Sequence, residues 1–274
     1  MESPVEESTA RHVCIVNPAN GHKHTHTFIL LHGRDSNCDK FSSEFFESEI
    51  SEDLAELLAR REGVYPDTAP HPRTLQALFL GFKWVFPNAL PIFSERFGTP
   101  LNQWFDIWSV ESPSERLEIQ ETGLRQNASF IAKVIADESR LVSRDRLYLG
   151  GISQGFTTAV TAYLAGGQQL GGLIGFSSWV HPALAQYGLL SVGEERLPVS
   201  GFSLTDGMKA TSVFLGHSID DDVVPIQNGR VLRDALRNIG QSNIEWHEYE
   251  HGGHWITEPK GVDDLVRFLR RTMD

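Results

Sequence analysis

The chain has 274 residues, 40% of them apolar, which suits one large α/β domain or two small ones and supplies ample material for a core. Its 36 acidic side chains outnumber 24 basic ones, for a formal charge of −12. That excludes the general basic character with which a nucleic-acid binder displaces counterions from phosphate, and it is equally wrong for sustained contact with an anionic membrane surface.

Residues 1–12, "MESPVEESTARH", read as a flexible tail, acidic and polar where a signal peptide would be basic and then apolar. No apolar stretch approaches the roughly 20 residues needed to span a bilayer. The expectation is a cytoplasmic protein without stable membrane insertion. Cys14 and Cys38 are then expected as free, reduced thiols, and the sequon Asn127-Ala128-Ser129 as unused. "VCIVNP" (13–18) and "HTFILLHG" (26–33) predict strands joined by a polar turn near Asn20-Gly21. Residues 39–62 carry helical periodicity through Phe45, Ile50, Leu54, Leu57 and Leu58. The proline-rich "VYPDTAPHPRT" (64–74) breaks it, and residues 40–75 are expected as an insertion within a single domain over 13–274. "FKWVFPNA" (82–89) predicts a buried strand, and "PIFSERFGTPLNQWFDIW" (91–108) a long aromatic loop of the kind that lines sites.

A helix is predicted from about Pro113 to Asp137, then the strand "RLYLGG" and the helix "GFTTAVTAYLA". "GGLIGFSSW" and "TSVFLGHS" predict further strands, residues 227–239 an amphipathic helix, "NIEWHEYE" a strand and "GVDDLVRFLRR" a closing helix. Apolar strands alternating with helices mean an α/β fold: a mostly parallel central sheet with helices on both faces.

In such a sheet, sites gather beyond the carboxyl ends of the strands. Ser153 falls there, in Gly151-Ile152-Ser153-Gln154-Gly155, between a predicted strand and helix. On the pentapeptide alone, a serine capping an ordinary turn would look the same. A serine nucleophile needs a base, and the base an orienting acid; on an elbow of this type they follow in the order acid, then histidine, each after a later strand. "TSVFLGHSIDDDVVP" (211–225) places three acids after a strand, and "WHEYEHGGHW" (246–255) places His251 and His254 in a Gly-rich loop before the last helix. Acyl transfer also needs oxyanion donors, and the backbone N–H groups of Gln154 and Arg34 are the candidates, the latter in "LLHGRDSN" (30–37). His32 reads as a loop-structuring residue bonded to backbone. His22, His24 and His26 in "HKHTH" would share a face if extended, but no Cys, Asp or Glu stands in ligand spacing beside them, so no metal and no cofactor is expected.

Several segments together resemble the acyl-protein thioesterase / phospholipase–carboxylesterase family of α/β-hydrolases, particularly its fungal branch, from about Thr27 to the C-terminus. "FILLHGRDS" (28–36) resembles the family's strand and H-G oxyanion loop, "QWFDIWS" (103–109) its W-F-D segment, and "LGGISQG" (149–155) its L-G-G-x-S-Q-G elbow. "GHSIDDDVVP" (216–225) resembles H-G-x-x-D-x-x-V-P, and "YEHGGH" (249–254) resembles Y-E-G-x-x-H. The resemblance implies the α/β-hydrolase fold and a triad of Ser153, Asp221 and His254, with Asp220 and Asp222 as solvated neighbours and His251 at the rim. Three departures stand out: Ser218 for a glycine, Arg34 and Asp35 for an apolar residue and a glycine, and the insertion.

The expected activity is that of a serine hydrolase of carboxylic esters or thioesters. By the resemblance its substrates are acylated proteins or lysolipids, and its assembly a monomer or weak homodimer. Trp104, Phe105 and Trp108 are expected near the acyl pocket. A small-ester or lactone hydrolase keeps the mechanism and changes the substrate, whereas a silent hydrolase-fold receptor would lose a triad member, and all three positions are filled.

Overall fold

The computed structural model describes residues 11–62, 70–182 and 204–273; most of the expected tail and residues 63–69 of the expected insertion lie outside them. Seven strands form one sheet: β1 (Val13–Val16), β2 (His26–Leu31), β3 (Phe82–Pro87), β6 (Leu147–Ile152), β7 (Gly172–Phe176), β8 (Ser212–Ser218) and β9 (Ile244–Tyr249). Their order is β1-β3-β2-β6-β7-β8-β9, with β1 antiparallel to β3 and every other neighbour parallel. The inner strands are continuous apolar runs because both of their faces are covered.

Successive strand residues point to opposite faces, and the core divides accordingly. Ile29, Leu31, Leu149 and Leu173 face one cluster with α3 (Glu121–Glu138), α4 (Gln154–Gly166) and α5 (Ile226–Asn238). Phe28, Leu30, Tyr148 and Ile174 face the other, with α1 (Cys38–Glu47), α2 (Glu52–Arg61) and α6 (Lys260–Thr272). The helical periodicity expected over 39–62 is divided in two at Ser48–Ser51. Ser51 caps α2 and also donates from N and Oγ to Asp263 of α6, at 2.8 and 2.6 Å. Residues 40–62 thus contribute to the helical layer, with Phe41 and Phe45 buried in the core.

Two expectations are corrected. The segment 91–108 is not all loop, since Pro91–Ser94 (β4) and Thr99–Asn102 (β5) pair as a short antiparallel hairpin. Prolines at strand edges and only four residues per strand hid it from periodicity. Cys14 and Cys38, expected as free thiols, are joined in a disulfide with Cα atoms 5.8 Å apart. The pairing of β1 with β3 carries Cys14 over the first residue of α1, a proximity that 24 residues of separation did not announce.

Candidate active site

The register of the sheet gathers the site. Leu31 of β2 lies opposite Gly151 of β6, so the loop leaving β2 emerges beside the turn leaving β6. A Cβ built on Gly33 would sit 3.6 Å from that of Ser153. Ser153 occupies the turn with φ 56 and ψ −129, a left-sided backbone that a non-glycine residue adopts only when its surroundings enforce it. They do so through Phe176 at the end of β7, whose carbonyl accepts from Ser153 N at 2.9 Å, and through Ser178 Oγ, which donates to Ser153 O at 2.7 Å. The flanking glycines are steric requirements. A Cβ on Gly151 would lie 2.6 Å from Leu31 O, and one on Gly155 would collide with the carbonyls of Leu31 and His32.

Gln154 opens α4, where a backbone N–H has no acceptor within the helix. Its side chain is fixed from both ends: Oε1 accepts from Trp104 N at 2.9 Å and Nε2 donates to Phe105 O at 2.6 Å. On the opposing loop Asp35 has φ 61, and its N–H donates to Asn102 O of β5 at 2.7 Å. The left-handed backbone explains why the resembling motif carries glycine at this position; aspartate is among the residues that tolerate it.

Of the three acids after β8, only Asp221 turns inward. Its side chain is 0% exposed, and Oδ1 accepts from the N–H groups of Val223 and Val224 at 3.0 and 2.8 Å. Its Oδ2 meets His254 Nδ1 at 2.8 Å and lies 3.3 Å from His217 Nε2, which is also 2.8 Å from Val224 O. Burial alone would raise the Asp221 carboxyl. The hydrogen bonds from His217, His254 and Val224, with the charge on His254, outweigh it and hold the group well below the ordinary carboxylate range. Asp220 instead accepts from Gly253 N at 3.0 Å and lies 3.4 Å from exposed His251, at the surface.

Ser153 and His254 line one cavity of about 530 Å3. Its wall comes from Arg34 and Asp35 after β2, from Lys40, Phe41 and Glu44 on α1, from Phe97, Thr99 and Leu101 at the hairpin, and from Val110, Val223 and Trp255. The Arg34 guanidinium covers the Phe97 ring, 5.3 Å from its centroid, and its partial burial lowers its pKa.

The aromatic residues expected at the acyl pocket lie elsewhere. Trp104 and Phe105 are fully buried beneath the elbow, where Trp104 Nε1 donates to His32 O at 2.8 Å, and neither lines the cavity. Trp108 lies under the Arg116 guanidinium, also away from the cavity. Their W-F-D segment fixes Gln154, because its backbone groups bond to the Gln154 amide. His32 binds backbone, with Ala89 N donating to its Nε2 at 3.0 Å. His24 and His26 are spent on neighbouring threonines, at 2.9 Å from Thr27 Oγ1 and 3.0 Å from Thr25 Oγ1. The sequence reading missed His217, although it stands four residues before Asp221 at the head of the motif, and it missed Phe97 and Leu101, whose hairpin was unseen.

A model of the phospholipase/carboxylesterase family matches residues 69–273. Among curated proteins, acyl-protein thioesterase 1 of Mycosarcoma maydis is 27% identical over 273 residues, covering 94% of this chain and 96% of that protein. Its counterpart in Gibberella zeae is 29% identical over 197 residues, 70% of this chain and 77% of the relative. Among solved structures, Zea mays acyl-protein thioesterase 2 superposes with a TM-score of 0.67 at 22% identity, covering 96% of this chain and all of that one. A Bacillus cereus carboxylesterase superposes at 0.57 with 13% identity, over 97% and 96% of the two chains. With a parallel sheet, an elbow at the end of β6 and a family match over three quarters of its length, the chain belongs to the phospholipase/carboxylesterase family and is a serine ester hydrolase of the α/β-hydrolase fold.

Proposed function

We propose that the protein is an acyl-protein thioesterase in which Ser153 is the nucleophile, His254 the base and Asp221 the orienting acid. The observation that carries this reading is the Asp221–His254 contact, at 2.8 Å, at the rim of the cavity into which the Ser153 elbow opens. With Nδ1 engaged by the carboxylate, Nε2 is left to take the Ser153 proton as Oγ bonds to the acyl carbon. The backbone N–H groups of Gln154 and Arg34 stabilise the oxyanion. His254 then protonates the leaving sulfur or oxygen as its bond to carbon breaks. Water, deprotonated by His254, releases the fatty acid from Ser153. No cofactor enters any step.

The substrate follows from the relatives, which are named acyl-protein thioesterases, and from the wall: Phe41, Phe97, Leu101, Val110 and Trp255 offer an apolar surface to an acyl chain. No described helix is long and apolar enough to cross a membrane, and we place the enzyme in the cytoplasm as a monomer or weak homodimer, working on acylated proteins, with lysolipids as further substrates. A small-ester hydrolase is the second reading, favoured by the charged Arg34, Asp35, Lys40 and Glu44 at the same wall. Hydrolysis of a palmitoyl thioester and of a short-chain ester, by wild type and Ser153→Ala, separates the two. Efficient turnover of the long thioester, falling by roughly 10³-fold or more in the variant, is expected. Cleavage of the short ester alone would overturn the thioesterase reading and leave the triad standing.

A further inference from the structure

The disulfide lies in an environment that a disulfide does not need. His12 and Cys14 stand two residues apart at the start of β1, on the same side of the chain. Cys38 and Asp39 form the first turn of α1, after the cap Asn37. The four side chains converge from these two elements, with one ligand-type atom from each lying within 4.8 Å of all the others. Cys14 Sγ lies 3.4 Å from His12 Nε2 and 3.2 Å from Asp39 Oδ1. Cys38 Sγ lies 3.9 Å from Asp39 Oδ2, and His12 Nε2 lies 3.7 Å from the same oxygen.

These four separations, 3.2–3.9 Å, are close to the edges of a coordination tetrahedron, with Asp39 turning Oδ1 to Cys14 and Oδ2 to Cys38 and His12. Spokes of 2.0–2.3 Å from zinc to nitrogen, oxygen and sulfur imply ligand–ligand edges of about 3.3–3.8 Å. We propose that His12, Cys14, Cys38 and Asp39 are a zinc site gated by thiol redox state: closed by the disulfide when oxidised, and open to one Zn²⁺ when reduced. Two sulfurs, an imidazole and a carboxylate form a borderline-soft set that suits zinc and discriminates against magnesium and calcium.

The conversion balances. Two equivalents of a thiol reductant, or one dithiol, reduce the S–S bond to two thiols and leave as a disulfide themselves. Zn²⁺ then takes both thiolates and the neutral imidazole and releases the two thiol protons. Either closure ties β1 to the helix that brings Lys40, Phe41 and Glu44 to the cavity.

The test uses the full chain, reduced under argon, freed of reductant, and titrated with Co²⁺ and then Zn²⁺. Wild type is expected to show thiolate-to-cobalt charge-transfer absorption and the intense visible bands of tetrahedral cobalt, both bleached by one equivalent of zinc. The oxidised protein and Cys14→Ser should show neither. His12→Ala and Asp39→Ala, which keep both sulfurs and lie at the surface, should bind zinc more weakly by at least the roughly tenfold that loss of an outer-shell partner costs. Folding is checked for each by circular dichroism. Absence of the cobalt bands in a folded wild type whose two thiols titrate as free would overturn the proposal. So would a disulfide that resists reduction until the chain unfolds, or unchanged zinc affinity in both surface variants, which would leave a bare dithiol and no four-ligand site.

Discussion

Asp221 shows how one residue separates from equals. The acids at 220, 221 and 222 are indistinguishable by composition, and only the spacing to Pro225 in a resembling motif singled out the middle one. The physical distinction is the direction in which the turn after β8 points each side chain, which no local pattern encodes. Two backbone donors and two histidines outweigh burial and make Asp221 a well-supported carboxylate acceptor. Replacing it by asparagine keeps the shape and removes the charge that, in the proposed triad, fixes the His254 tautomer. Asp221→Asn is therefore expected to lower kcat by roughly 10⁴-fold with KM nearly unchanged, measured on a soluble thioester. Because its carboxyl is held below the ordinary range, protonation of Asp221 is not expected to set the acid limb of the pH–rate profile.

At the level of elements, the sheet strands and the principal helices were legible because buried parallel strands are unbroken apolar runs and helices show a period near 3.6. The hairpin β4–β5 was not. It is too short for a period, and its wall residues are not in the conspicuous tryptophans but in Phe97 and Leu101. Phe97 is 52% exposed, yet it sits between the guanidinium groups of Arg34 and Arg96, 5.3 and 5.6 Å from its centroid. Phe97→Ala removes apolar wall and frees the Arg34 charge to face the cavity. The loss corresponds to about 0.5–1 kcal/mol, roughly a two- to fivefold fall in kcat/KM for a long-chain thioester. A short-chain ester should be cleaved at the wild-type rate, and equal losses on both substrates would contradict a wall role for Phe97 in binding the acyl chain.

Across the whole molecule, buried histidines set the acid response. Burial pushes His32 down to about 4, and burial with the nearby Arg146 charge does the same for His26. Both are depressed from an unfolded value near 6.5, so between about pH 6.5 and 4 the unfolded chain binds protons that the folded chain refuses. Stability must fall as pH drops through that window, by up to about 1.4 kcal/mol per pH unit for each histidine, and neither contributes a slope above it. Urea melts from pH 4 to 7 should show that decline, and His26→Gln should make it shallower while leaving the His32 share. The Cys14–Cys38 pairing shows what remained illegible at this scale: it depends on which strand sits at the sheet edge, a property of the assembled topology.

The cavity wall has an order along the chain. Most of the lining residues lie at or before Val110, while the proposed triad of Ser153, Asp221 and His254 follows it. Inheritance can therefore act on diet and reaction separately. Side-chain substitutions in the first 110 residues can retarget an enzyme of this kind while the backbone donor at Arg34 and the later chain continue to specify the same bond-breaking, and two homologues alike in their second halves need not share a substrate.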